Sequence, residues 1–419
     1  MVKVFKPGLI SIFILALSGV LLSVTPFFGA EEEESKTESV KIKGRETPVK
    51  PRFEIKEKDW PAVYGEASVC LWKDDALAAF SATIDDNCFG DTPWWLAMGE
   101  KYGLRFTWFV ITRRIAKGEN PSFNGTWEGW RKIYAAGHDV QSHTALHGHI
   151  EDPEWKGIEP EYAGSKKDIE ENMPGNKCLV LGYYGGKNSN LNDPVIAAKY
   201  YIGARGSGPI NKVNQIDYMQ IHSTGGVNNF PISGRLAGEE GKTAGADIRA
   251  SGDMRSLFEK SKASADFYRG WLSVNSHFVC ASYNSIPDEK KREAFKKTFT
   301  ETSGAIEKRF AVVRDLVQEG KLWAGLVREI CLYARERDTA GLKVLEKTPA
   351  KIVFKLTDRM EDALFDFPLT VKVRLNASWK TAKAAQDAKA IPVKLVEHEG
   401  SVYALVQAVP DRGEAVLEK

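Results

Sequence analysis

From Trp60 to about Asp338, short apolar runs alternate with amphipathic stretches, and this alternation constrains the fold more than any other feature of the chain. The runs that read as strands are Ala78 to Ile84, Leu104 to Ile111, His138 to Ser142, Cys178 to Tyr183, Tyr200 to Ala204, Tyr218 to His222, Trp271 to Asn275 and Leu322 to Gly325. Between them, helices are expected over Thr92 to Tyr102 (Pro93 in the first turn), Thr126 to Ala136 (ending at Gly137), Ser165 to Met173, Asp193 to Lys199, Asp253 to Tyr268 and Asp288 to Glu319. A strand followed by a helix, repeated, buries both faces of a parallel sheet. The expectation is an α/β chain whose sheet closes or nearly closes into a distorted (β/α)7-8 barrel.

After a helical stretch over Arg328 to Arg337 the rhythm changes. Lys351 to Leu356, Leu369 to Leu375, Ile391 to Val396 and Val402 to Val406 read as short strands with no long helix between them, which fits a small C-terminal all-β domain. The expected organisation is 1–30 signal peptide or N-terminal anchor, 31–60 charged lead-in, 61–340 barrel and 341–419 β-domain. At the N-terminus, Lys3 and Lys6 precede an apolar run from Leu9 to Val24, and small residues lead into four glutamates. This is a secretory signal in outline, so an exported protein, periplasmic or extracellular, is expected. The run is near the lower limit for spanning a bilayer, so contact with a membrane is expected only if the segment stays uncleaved.

Composition removes other classes. With 58 Lys+Arg against 56 Asp+Glu, the net charge of +2 provides no general attraction to phosphate backbones, and nucleic acid is not expected as a partner. An aromatic content of 11%, with aliphatic residues spread along the chain, is what a packed core needs. The five cysteines are dispersed and form no C-x-x-C pair, so neither a disulfide framework nor a zinc knot is implied, and each reads as a small buried apolar residue.

In a barrel of parallel strands, chemistry gathers at the C-terminal strand ends. Those ends carry Asp85-Asp86, Thr112, His143, Tyr183-Tyr184, Arg205, His222 and His277. Adjacent carboxylates are costly there unless a cation or a proton resolves them. In Ser142-His143-Thr144-Ala145-Leu146-His147 the two imidazoles are four residues apart. Were that segment helical, they would share a face and could bind one ion. One carboxylate with two histidines leaves coordination positions open, as a catalytic metal requires. His138 reads as a buried, hydrogen-bonded strand histidine, and Trp94, Trp95, Trp108, Trp127 and Trp130 read mostly as packing residues.

Thr83-Ile84-Asp85-Asp86, followed some 57 residues later by Ser142-His143-Thr144-Ala145-Leu146-His147, resembles the first two motifs of the polysaccharide deacetylase family, also called carbohydrate esterase family 4 or the NodB-homology domain. The resemblance covers about Ala78 to Tyr333 and implies a barrel of the polysaccharide deacetylase type. It further implies that Asp85 is the general base and that Asp86, His143 and His147 hold a divalent metal ion, Zn2+ in most of the family. Trp271 to His277 is similar to the family's late motif, which makes His277 the implied general acid. Leu181 to Gly186 resembles its aromatic-glycine loop, which assigns Tyr183, Tyr184 and Gly185 to the oxyanion and substrate. The stricter family pattern carries an Arg-Pro-Pro-Tyr motif, where the arginine orients the base. Here Gly182-Tyr183-Tyr184 stands instead, and Arg205 could take over by pairing with Asp85.

The implied activity is metal-dependent removal of N- or O-linked acetyl groups from an acetylated glycan. A same-fold amidohydrolase acting on a small amide, and an inactive carbohydrate-binding protein, are the alternatives.

Overall fold

The computed structural model describes residues 50–55, 58–184, 192–224, 254–258, 267–277, 279 and 289–419. The expected signal segment, most of the lead-in, Gly185 and Cys280 lie outside these residues.

The strands of the α/β part are β1 (Ala67–Val69), β2 (Ala78–Ile84), β3 (Thr107–Val110), β4 (Asp139–Ser142), β5 (Val180–Gly182), β6 (Gly203–Arg205), β7 (Trp271–Ser276) and β8 (Leu322–Ala324). Its helices are α1 (Thr92–Tyr102), α2 (Thr112–Ala116), α3 (Pro121–Asn124), α4 (Trp127–Ala135), α5 (Ile158–Asn172), α6 (Pro194–Ala197), α7 (Glu289–Gln318) and α8 (Val327–Thr339). All seven residues of β2 are buried, which explains a strand with almost no polar alternation: a central parallel strand is covered on both faces. Helix α1 carries Pro93 in its first turn, where proline loses nothing, and stops at Gly103, whose φ of 65° is the left-handed C-cap. Helix α4 is capped by the Thr126 hydroxyl, which accepts from the Gly129 amide at 3.1 Å.

The parallel sheet runs β6-β5-β4-β3-β2-β7, with β8 also on β2. Strand β2 is shared lengthwise: its first half pairs with β8 (Ala78↔Leu322) and its second half with β3 (Thr83↔Thr107). This split bends the sheet into a distorted, incompletely hydrogen-bonded barrel. The stretch Tyr218 to His222, expected as a strand, forms only isolated bridges. Ile221 pairs with Arg205 at the end of β6, and Thr224 pairs with Val274 in β7, so this segment spans the gap between the two outer strands. The core below the site is aromatic: Trp95, Trp108, Trp130, Phe80, Phe106 and Phe109 are all at most 2% exposed. Trp94 and Trp127 pack against that core from its edge. Cys70, Cys88, Cys178 and Cys331 are buried and free.

The C-terminal part is all β: β9 (Gly341–Thr348), β10 (Lys351–Thr357), β11 (Leu369–Leu375), β12 (Lys383–Gln386), β13 (Lys389–Ile391), β14 (Val393–His398), β15 (Ser401–Ala408) and β16 (Glu414–Glu418). They form two antiparallel sheets, β1-β11-β15-β14 and β13-β12-β16-β10-β9. Strand β1, which comes just before β2 in the chain, supplies the edge of the first sheet, with Ala67 opposite Val373. One apolar cluster joins Trp72, Trp323 and Tyr333 of the α/β part to Ile352, Phe354, Val371 and Val406 of the sheets.

Candidate active site and metal centre

The site sits where β2, β4, β5, β6 and β7 end. Directly after β2 the backbone turns through three consecutive left-handed residues, Asp86 (φ 58°), Asn87 (φ 65°) and Cys88 (φ 47°). Non-glycine residues hold such values only where neighbours impose them. Asn87 supplies the imposition: its Oδ1 accepts from the Ile111 amide at 2.6 Å and its Nδ2 donates to Asn124 Oδ1 at 3.1 Å. The turn separates the two carboxylates, so that Asp85 and Asp86 face different partners.

Asp86 faces the histidines. His147 Nε2 lies 3.0 Å and His143 Nε2 3.3 Å from Asp86 Oδ1. Among the described residues these three are the one set of metal-ligand side chains gathered within 4.8 Å. The path from His143 to His147 is not helical, which corrects the shared-face expectation. Thr144 (φ 67°), His147 (φ 56°) and Gly148 (φ 70°) fold it into a tight loop that brings both Nε2 atoms inward. That loop is held by its own Thr144 hydroxyl, which accepts from the His147 amide at 3.0 Å, and by Glu161 of α5, which accepts from the Leu146 amide at 2.7 Å. Burial pushes the Glu161 carboxyl up against the opposing pull of the Leu146 amide.

Hydrogen positions decide whether this donor set suits a cation. His143 Nδ1 is 2.7 Å from the Gly182 carbonyl, which can only accept, so Nδ1 carries the hydrogen and Nε2 presents a lone pair to Asp86. Asp86 Oδ1 is itself buried and accepts no hydrogen bond. The His143 Nε2 lone pair and the Asp86 carboxylate oxygen face each other and repel unless a positive charge lies between them, and with His147 Nε2 completing an N2O set the arrangement suits a divalent metal. Burial lowers His147, a shift toward the neutral ring that a metal would need.

Asp85 faces the other way. Arg205 at the end of β6 places Nη2 2.5 Å from Asp85 Oδ1, with both side chains only 4% exposed. The guanidinium lies over the Phe109 ring at 4.9 Å, which fixes its plane. His277, just past β7, is the open wall of the site: its side chain is 52% exposed and Nε2 is 3.7 Å from Asp86 Oδ2.

Tyr183 does not serve the place the sequence assigned to it. Its amide donates to the Arg205 carbonyl at 2.9 Å as part of the β5–β6 ladder, and its ring is in the barrel core. Tyr184 does border the site, its ring 5.6 Å from His147. A Cβ on Gly148 would lie 1.9 Å from the Tyr184 ring, so only glycine lets ring and loop close together. His138 is buried away from the ligands, its Nδ1 accepting from the Phe106 amide at 3.1 Å, and desolvation lowers it to about 4. His222 packs against Gly208 instead of joining the cluster.

Sequence reasoning missed Asn87 and Glu161. Asn87 directly follows the carboxylate pair and was open to suspicion as a residue that tolerates left-handed backbone. Glu161 carries no local signal, since its role depends on where α5 packs.

Comparison with known proteins bears on the same stretch. The polysaccharide deacetylase family model matches residues 78–202. Residues 78–202 belong to the polysaccharide deacetylase family. This segment contains Asp85, Asp86, His143, His147, Tyr183 and Tyr184. A gellan lyase from a Bacillus species is 36% identical over 360 residues, which is 84% of this chain but 13% of that protein. This chain thus spans a small part of the curated relative it matches. Among solved structures, similarity extends to a family 4 carbohydrate esterase from Streptomyces lividans in complex with acetate (16% identity, 60% of this chain and 93% of that one, TM-score 0.33). It extends also to a family 4 pseudoenzyme from Bacillus anthracis (12% identity, 62% and 66% covered, TM-score 0.30).

Proposed function

We propose that this chain is an exported, metal-dependent hydrolase that removes acetyl groups from a polysaccharide. The observation that carries this reading is the convergence of Asp86 Oδ1, His143 Nε2 and His147 Nε2 beside a separate, arginine-paired Asp85.

Asp86, His143 and His147 would hold the metal, and Zn2+ suits a set of two imidazoles and one carboxylate. A divalent cation there would bring the pKa of a water toward about 7 and polarise the acetyl carbonyl. Asp85, not a member of the ligand set, accepts a proton from the attacking water; Arg205 occupies its Oδ1 and thereby aims the remaining oxygen. His277 Nε2 donates to the departing nitrogen or oxygen from the open side of the site. Its 52% exposure leaves room for a polymer to approach. The Tyr184 amide is the proposed donor to the tetrahedral oxyanion, and the Tyr184 ring forms the wall beside His147. Tyr183 supports these groups from the core and Gly185 is assigned with Tyr184 by resemblance. The Lys3-Lys6 and Leu9 to Val24 pattern supports export.

The test is acetate release from a panel of acetylated polysaccharides, gellan included, with metal analysis of the same samples. Acetate release that vanishes on chelation and returns with Zn2+ is expected. Release of unsaturated uronate ends instead would support a lyase, as the name of the Bacillus relative suggests for that protein. Ammonia release from small amides would support an amidohydrolase. Glycan binding without turnover in the metal-loaded protein would defeat the enzyme reading.

A further inference from the structure

We infer that residues 50–55 act as a strap that positions Arg205, and through it Asp85, by clamping the segment 213–221 that bridges the outer strands of the barrel. This rests on the hydrolase reading for its catalytic consequence but on contacts alone for its structural part.

The strap engages the bridging segment through backbone and side chain together. The Arg52 amide donates to the Asn214 carbonyl at 2.9 Å, Arg52 Nη2 donates to the Ile216 carbonyl at 2.9 Å, and Asn214 Nδ2 donates back to the Phe53 carbonyl at 2.6 Å. The Arg52 guanidinium also lies 5.3 Å from the centre of the Tyr218 ring and 3.5 Å from Asp338 Oδ2 of α8. Tyr218 Oη donates to that same Asp338 oxygen at 2.7 Å, and Arg337 Nη2 donates to the Val213 carbonyl at 3.0 Å. Strap, bridging segment and α8 are thus tied at one point.

From there the ties lead to both neighbours of Arg205. The Ala204 amide donates to the Tyr218 carbonyl at 2.7 Å, and the Ile221 amide donates to the Ala204 carbonyl at 2.8 Å. The Gly206 amide donates to the Ile221 carbonyl at 2.8 Å. Strand β6 has only three residues, and among the described residues its one other lateral support is β5. A short strand held on one side by β5 and on the other by an irregular segment takes its position from whatever fixes that segment. Arg205 then meets Asp85 through a single Nη2–Oδ1 contact, which tolerates little displacement. Arg52, Tyr218 and Asp338 are therefore positioning residues, not catalytic ones.

The experiment uses the full chain with Arg52→Ala and Tyr218→Phe, each made alone and in an Arg205→Lys background. Arg52 is at the surface, its side chain 28% exposed, so its loss leaves the core intact. If the strap acts through Arg205, either change lowers kcat about tenfold with KM within about twofold, and the same change in the Arg205→Lys background costs less than about twofold. Equal losses in both backgrounds, or no loss in either, would overturn the inference. Amide hydrogen exchange over residues 203–206 provides a readout independent of activity. Faster exchange there in Arg52→Ala is expected, and unchanged exchange refutes the strap even if acetate release falls. Should the parent protein release no acetate at all, the hydrolase reading fails while the exchange measurement still decides the strap.

Discussion

Replacing Arg205 by methionine isolates the Asp85–Arg205 pair from the metal centre. Both side chains are 4% exposed and meet at 2.5 Å, so Arg205→Met strands a carboxylate away from water while keeping an apolar side chain over Phe109. Losing one partner of a buried pair costs about 3–5 kcal/mol. At about 2 °C per kcal/mol, the low end suited to a long chain, the unfolding midpoint should fall by about 6–10 °C. Asp85→Asn alone should cost a comparable amount, because it leaves a buried guanidinium unmatched. The double variant removes both charges, and should regain most of the stability while acetate release stays lost, since the proposed base is gone. Thermal unfolding of chelator-treated protein at pH 7 measures all four species. A loss below about 1 kcal/mol in Arg205→Met, or single effects that add to within about 0.5 kcal/mol, would show that the pair is not coupled as argued.

Other outcomes follow from the same geometry. Asp86→Ala should abolish stoichiometric metal binding as well as acetate release, and a variant that still holds one metal per chain would remove Asp86 from the ligand set. His277→Ala should lower kcat by about 10²–10⁴ with metal content unchanged, because His277 lies outside the ligand set; loss of metal in this variant would count against the assignment. Gly148→Ala places a methyl 1.9 Å from the Tyr184 ring at a φ of 70°, and should destabilise by about 2–5 kcal/mol in a denaturant melt, relieved in part by Tyr184→Ala. Glu336 is fully buried, and burial pushes its carboxyl up to about 9. The folded state therefore keeps a proton that the unfolded chain releases above its ordinary range near 4.5, and stability should fall by about 1.4 kcal/mol per pH unit between those values on account of this group. Glu336→Gln should flatten the slope between pH 6 and 8, and an unchanged slope would refute the assignment.

What could be read from the sequence was whatever is fixed locally. Ala78 to Ile84 has the expected bounds because seven consecutive buried positions admit only apolar and small residues. Thr92 to Tyr102 does because Pro93 and Gly103 mark its ends. Helix α5 begins at Ile158, seven residues before the expected Ser165, since Pro160 sits in its first turn, where proline is tolerated, but looks like a breaker in sequence. Strands β9, β12 and β16 went unread because they are polar or short; β9 lies at a sheet edge with most of its residues exposed. The proposed metal ligands could be picked out as residue types, but the loop joining them could not, as left-handed backbone at Thr144 and His147 has no sequence signature. The lead-in expected over 31–60 as a tether carries Arg52 and Phe53, whose partners lie some 160 residues onward and leave no local pattern.

The family match ends at residue 202, yet the site as built does not. Asp85, Asp86, His143 and His147 fall inside the matched segment, while Arg205 comes just after it and His277 follows β7. Strand β7 runs beside β2 over six residue pairs, and the Asp85 amide donates to the Ser276 carbonyl at 2.9 Å, so the strand that delivers His277 also fixes the backbone of Asp85. Asp91 ties the same corner from below, its carboxylate accepting from the Val279 amide. A fragment cut at 202 would thus keep the three proposed metal ligands in sequence but lose the partner of Asp85, the proposed acid and the backbone support of β2. Metal binding and hydrolysis should part company in such a fragment: any residual affinity for Zn2+ would come without acetate release. Full turnover from residues 78–202 alone would mean that Arg205 and His277 are bystanders, and that the chemistry lies wholly within the matched segment.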